Sequence, residues 1–210
     1  MTVWYNTYNE RKEDAKMNLQ ITENTIPGTI LDRYAMGDVT GMEFLSKIFY
    51  ISDGVMLSQI REISGIDGST LQNWTKRGWV ENSKSKKYNM DQVAHILIIN
   101  MLRSCMQLDK IDFLIKYING RVDDRSDDII RESELYDYIC RILDDLMGGE
   151  RDVHISTLRD CIEVVTAEYD EKISGARRRL TNALEIIIIA YYASIIKSHS
   201  DKRIDELIKK

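Results

Sequence analysis

The chain has 210 residues, 43% of them apolar, which is enough for a packed core and argues against disorder throughout. Its 34 acidic and 29 basic residues leave a net charge of −5, excluding a protein that binds polyanions over its whole surface. Any nucleic-acid face must be local.

The opening stretch, MTVWYNTYNERKEDAK, lacks the apolar segment of a secretory signal, so a cytoplasmic protein is expected. Cys105, Cys140 and Cys161 are odd in number and widely spaced, which suits reduced thiols in such a compartment. Pro27-Gly28 and Gly37-Asp38 are turn signals, and residues 1 to about 40 read as an arm with short helices lying over the body. Met42, Leu45, Ile48 and Phe49 then share one helical face over Met42 to Ile51, with Thr40 available as the cap. Residues 1–54 thus form an N-terminal arm and one helix.

The next stretch, Leu57 to Tyr88, is the most informative. Leu57, Ile60 and Ile63 share a face, Gly65 ends that helix, and Asp67 offers a side-chain oxygen to the free amides of a second helix, Gly68 to about Arg77. Leu71, Trp74 and Thr75 face the preceding helix. Ser69, Gln72, Asn73 and Lys76 recur at steps of three and four on the opposite face, turned to solvent or to a groove. Gly78 closes the helix, and Trp79-Val80 with Lys87-Tyr88 predict a two-stranded ribbon around Glu81 to Lys86. That ribbon is the expected wing.

Asn89 can cap a longer helix reaching about Met106, Asp109 begins another, and Gly120 stops it. Asp123, Asp124, Asp127 and Asp128 make an acidic connector, which is the best boundary in the chain. Beyond it, Glu132 to Met147 is amphipathic and Gly148-Gly149 breaks the pattern. Ile155 to about Ser174 and Arg177 to about Ser198 read as two long helices, or one interrupted near Gly175, with a short terminal helix marked by Ile204, Leu207 and Ile208. Within them, ALEIIIIAYYASII (183–196) is shorter than the roughly 20 residues of a membrane helix and contains Glu185, so a buried helix is expected and no membrane partner. It is apolar nearly all round, so several helices or another subunit must cover it.

The segment from about Leu57 to Ile118 resembles the DNA-binding domain of the MerR family of transcription regulators. The resemblance rests on Ile60-Arg61-Glu62-Ile63-Ser64-Gly65-Ile66, on Thr70-Leu71 with Trp74, and on Gly78-Trp79-Val80. Lys86-Lys87-Tyr88 before Asp91-Gln92-Val93, and Leu108-Asp109-Lys110-Ile111, extend it. The arrangement is closer still to uncharacterised bacterial proteins with a MerR-like domain of unknown function. The resemblance implies a winged helix-turn-helix, double-stranded DNA as partner, and a homodimer with a small-molecule effector site C-terminal to the domain. Where the family carries arginine, this chain has Gln72 and Lys86, so a bidentate phosphate clamp is replaced by an amide and a point charge. Residues 121–210 match no effector domain.

Local charge agrees with the DNA reading. Residues 57–88 carry Arg61, Lys76, Arg77, Lys84, Lys86 and Lys87 against Glu62, Asp67 and Glu81, a net of +3, whereas residues 121–150 carry ten acids and four bases, a net of −6. The expected DNA-binding residues are Ser69, Gln72, Asn73, Lys76, Arg77, Lys84, Lys86 and Lys87. Gln72 and Asn73 suit adenine, and Ser69 and Lys76 suit backbone or guanine. So few bases per subunit call for a two-fold dimer.

Other features have plainer readings. Trp74, Trp79 and Tyr88 read as core, Arg177 to Arg179 as a solvated face balanced by Glu168, Asp170 and Glu171, and Tyr191-Tyr192 as packing rather than a ligand pocket. His95, His154 and His199 have no partners at metal-site spacing, and neither a phosphate loop nor a nucleophile elbow occurs, so no metal, no cofactor and no enzyme activity are expected. The expected protein is mainly α, with a MerR-like winged helix-turn-helix at residues 55–120 and a C-terminal helical region at 121–210 supplying dimerisation. Its expected function is sequence-specific DNA binding as a homodimeric transcription regulator. The alternative is a winged helix used as a protein-interaction or structural module without DNA.

Overall fold

The computed structural model describes residues 24–50, 52–121, 126–148 and 154–209. Most of the expected arm, residues 1–23, and Asp123, Asp124 and Gly149 lie outside them. Eight helices and one two-stranded sheet follow in order among the described residues: α1 (Gly41–Phe49), β1 (Val55–Met56), α2 (Leu57–Ser64), α3 (Gly68–Lys76), β2 (Lys87–Tyr88), α4 (Met90–Leu102), α5 (Leu108–Asn119), α6 (Glu132–Met147), α7 (Ile155–Val165) and α8 (Ala176–Ile208). The protein is mainly helical, as its 3.6-residue patterns predict.

Helix α4 is the axis of the structure. Asn89 caps it by accepting from the Gln92 amide at 2.9 Å, while the Gln92 side chain accepts from the Asn89 amide at 3.0 Å, a reciprocal capping box. Every residue from Asp91 to Ile99 is buried, because α1, α2, α5, α6 and α8 all pack around it. One apolar cluster therefore runs from Ile26 to Ile195 through the whole described chain. Each fully buried aliphatic side chain in it contributes about 1.5–3 kcal/mol.

Residues 24–40 hold turns and a single bridge rather than helices. Ile26 is fully buried, the Pro27 carbonyl accepts from the Tyr136 hydroxyl at 2.7 Å, and the Ile30 amide donates to Ile63 at 3.0 Å. This stretch is thereby wedged against α2, α4 and α6. Thr40 precedes α1 as expected but does not cap it, since its hydroxyl donates to Asp144 at 2.7 Å. Asp137 of α6 does that work, accepting from the Met42 amide at 2.7 Å.

The expected ribbon is corrected. Lys87-Tyr88 pairs with Val55-Met56, not with Trp79-Val80, in the antiparallel register Val55↔Tyr88 and Met56↔Lys87. Trp79 is unavailable because its carbonyl is taken by His95 Nε2 at 2.8 Å, and Val80 is buried in the core.

The C-terminal half also departs from expectation. Helix α7 stops at Val165, and the carbonyls beyond it are taken by Arg177, which donates to Thr166 at 2.5 Å and to Tyr169 at 2.7 Å. Arg177 is thus a cap for a neighbouring helix rather than part of a solvated face. Helix α8 is one unbroken rod of 33 residues that includes the expected terminal helix. It holds an 18-residue window of mean hydropathy 1.4, long and apolar enough by length and composition to cross a membrane, and half of that window is buried inside the protein.

Candidate nucleic-acid interface

The candidate interface is built from the α2–α3 pair. Helix α2 ends at Gly65, whose φ of +68° is a left-handed geometry that glycine adopts at no steric cost, and the Gly65 amide closes the helix on the Arg61 carbonyl at 2.9 Å. Two residues later the Asp67 carboxylate accepts from the Thr70 amide at 2.9 Å and the Thr70 hydroxyl at 2.7 Å. The Ser69 hydroxyl donates to the same carboxylate. These hydrogen bonds, led by that of Ser69, hold the Asp67 carboxyl well below the usual carboxylate range.

Helix α3 is fixed from below by Leu71 and Trp74, both 1% exposed and packed in the core with Ile60 and Ile66. Truncating Trp74 to alanine would cost about 3–5 kcal/mol by cavity formation. With that face committed, Ser69, Gln72, Asn73, Lys76 and Arg77 are all exposed. Within the stripe, Asn73 Oδ1 accepts from Arg77 Nε at 3.3 Å, and the Arg77 guanidinium lies 5.1 Å from the centroid of the Trp79 ring. Arg77 is therefore stacked at the base of α3 instead of extended.

The basic loop follows. Ser85 and Lys86 have φ of +53° and +64°, and the Lys84 and Lys87 backbones exchange hydrogen bonds across them. This is a two-residue turn with both central residues left-handed, a geometry that favours Asn-Gly. Lys84, Lys86 and Lys87 are exposed around it. With Lys76 they form no ion pair among the described residues, whereas Glu81, the acid nearest Lys84 in sequence, accepts from Gln92 Nε2 at 3.0 Å.

All eight expected site residues thus lie on the exposed side of α3 or on the turn after it. Residues 44–139 match a domain of unknown function, DUF1836. The chain is also 29% identical over 94 residues to the uncharacterized protein YkrK of Bacillus subtilis (strain 168), an alignment covering 43% of this chain and 40% of that protein. The chain therefore spans less than half the length of this curated relative. No solved structure matches. The DUF1836 segment begins within α1 and ends within α6, so it includes α2, α3, both strands, α4 and α5 and leaves out α7 and α8.

Within that segment the structure brings in four residues that the sequence reading did not assign to the site. Gln92 holds the turn-side chain through Glu81 and through the Asn82 carbonyl at 3.2 Å, and His95 holds Trp79. Asn100 donates to the Ser64 carbonyl at 2.9 Å, at the end of α2, and Arg103 lies 5.8 Å from the Trp74 ring centroid. For Gln92, His95 and Asn100 the signal is a polar side chain inside an otherwise apolar helix, because a buried polar group needs a partner; Arg103, exposed just past the helix end, carries no such signal.

Proposed function

We propose that this protein is a sequence-specific DNA-binding homodimer, a MerR-like winged helix-turn-helix transcription regulator that works in the cytoplasm. Helix α3 enters the major groove and the Lys84–Lys87 turn rests on flanking phosphates. The observation that carries this reading is that Lys76, Lys84, Lys86 and Lys87 form no ion pair among the described residues and lie exposed around a polar helix face inside an acidic protein. The exposed Gln72 makes no side-chain hydrogen bond among the described residues and can bond adenine, while Asn73 would exchange its 3.3 Å bond from Arg77 for a base edge. Asp67 and Ser69 set the helix end that approaches the backbone.

The dimer reading is supported by α8. Ile186, Ile189, Ala193, Ile196, Ser200 and Leu207 are exposed along one side at steps of three, four and seven, and Ile186, Ile189 and Ile196 are 45%, 44% and 52% exposed. Such a seam is the pattern of a two-stranded coiled coil. All residues from His199 to Lys209 are exposed, and a free helical end of that length is marginal in water without a partner. A second copy of α8 would cover both.

Duplex titration by fluorescence anisotropy between about 50 and about 200 mM salt tests the reading, since affinity falls steeply with salt when phosphates are neutralised. Replacing Lys84, Lys86 and Lys87 by alanine should flatten the salt dependence by about two to three phosphate contacts per subunit. Equal slopes would remove the turn from the interface.

A further inference from the structure

A cleft of about 300 Å³ opens between the Thr25–Thr29 loop, the C-terminal half of α4 and the middle of α8. That is the lower end of the roughly 300–1,000 Å³ typical of small-molecule sites. We infer that it binds a neutral, polyhydroxylated small molecule of about sugar size. This site is distinct from the α3 face and does not depend on DNA binding.

The chemistry of the lining selects the class. Asn100 stands in the wall, and its amide nitrogen is fully used, donating to the Gly28 carbonyl at 2.8 Å and the Ser64 carbonyl at 2.9 Å. These two bonds fix which end of the amide is oxygen. Among the described residues Asn100 Oδ1 is then buried with no hydrogen-bond partner, an acceptor that lacks a donor. The hydroxyls of Ser104 on one side and Ser198 on the other likewise have no partner among the described residues, and each can donate and accept. Met101 and Ile195 supply an apolar patch between them, suited to the C–H face of a sugar ring.

Charge narrows it further. The cleft has one cation and one anion, Lys197 and Asp201, and they pair with each other at 2.6 Å. Both side chains are more than half exposed, and together they give the lining no net charge, so the cleft offers an ionic compound no Coulombic advantage over a neutral one. A neutral hydroxyl donor to Asn100 Oδ1 needs none.

Position gives the site a consequence. Asn100 joins the cleft to the last carbonyl of α2, one residue before the Gly65 turn, so a ligand that holds the amide plane is felt at Gly65 and Ile66. Spectra of the isotope-labelled full chain, titrated with glucose and myo-inositol at millimolar concentrations and with sodium glucuronate as the charged control, test the inference. At least one neutral polyol should give saturable shifts at Thr29, Gly65, Ser104 and Ser198, exceeding those from glucuronate. Filling the cleft with Ser198→Phe should weaken that binding about tenfold or more, and Ser104→Phe from the opposite wall repeats the test should the first variant misfold. No saturable shift from either polyol, tighter binding of glucuronate, or binding that survives both fillings would overturn the assignment.

Discussion

The Lys84 amide donates to the Lys87 carbonyl at 3.1 Å and the Lys87 amide returns the bond to Lys84 at 2.9 Å, closing a turn with Ser85 and Lys86 at positive φ. A side chain in the left-handed region costs about 1–2 kcal/mol relative to the right-handed one, and glycine avoids that cost. A lysine therefore stands where backbone energetics favour glycine. Lys86→Gly should stabilise the fold by up to about 1 kcal/mol in urea denaturation and weaken duplex binding in the same preparation. Greater stability with undiminished binding would show that the Lys86 charge has no part in DNA contact.

The cap of α3 makes a pH prediction. The folded-state pKa of Asp67 is depressed below its unfolded value, so its contribution to stability is present above roughly pH 4 and is lost as pH falls through the folded value. Asp67→Ala should melt at a lower temperature than the native chain at neutral pH, with the gap narrowing steadily below about pH 4. A gap independent of pH would mean that the carboxylate charge contributes nothing to the cap.

Two glycines with nearly the same backbone separate strain from crowding. Gly28 and Gly78 have φ of +77° and +74°, but a Cβ on Gly28 would lie 2.3 Å from the Leu97 carbonyl oxygen while one on Gly78 meets nothing within 4 Å. Gly78→Ala should cost about 1–2 kcal/mol from left-handed strain alone. Gly28→Ala should cost a further 1–3 kcal/mol or so, because the loop is pressed off α4. Equal losses in chemical denaturation would show that the loop yields freely.

On α8 the expected effect is on assembly. Ile189→Glu with Ile196→Glu places like charges in the exposed seam without touching the buried side of the helix. Sedimentation equilibrium should give a dimer for the native chain and a monomer for the variant, with helical content by circular dichroism lowered by no more than fraying of the exposed end from His199 to Lys209. A native monomer would remove the second copy from the account.

The helices were legible where one face is apolar and a cap residue precedes it, as with Asp67 before α3 and Asn89 before α4. Pairings set by distant residues were not. Nothing local to Trp79 indicates that His95 takes its carbonyl, which directs Lys87-Tyr88 to Val55-Met56. Thr40 has the right side chain for a cap, yet Asp144 lies within reach of its hydroxyl and Asp137 meets the free amide first. Arg177 looks like one of three surface arginines until the open carbonyls after α7 are brought beside it. The exposed stripe of α3 was readable from spacing alone because its opposite face is Leu71 and Trp74. The role of Asn100 was not, since its partners Gly28 and Ser64 lie far away in sequence.

Selection from a pool of random double-stranded DNA, with the native chain and with Gln72→Ala/Asn73→Ala run in parallel, tests the central claim most directly. The account predicts that the native protein enriches a two-fold symmetric sequence, its half-sites about one helical turn, roughly 34 Å, or a multiple apart. The double variant should lose preference at the adenine positions of each half-site while still retaining DNA through its lysines. No enrichment by the native protein, or the same enriched sequence from both, would contradict it.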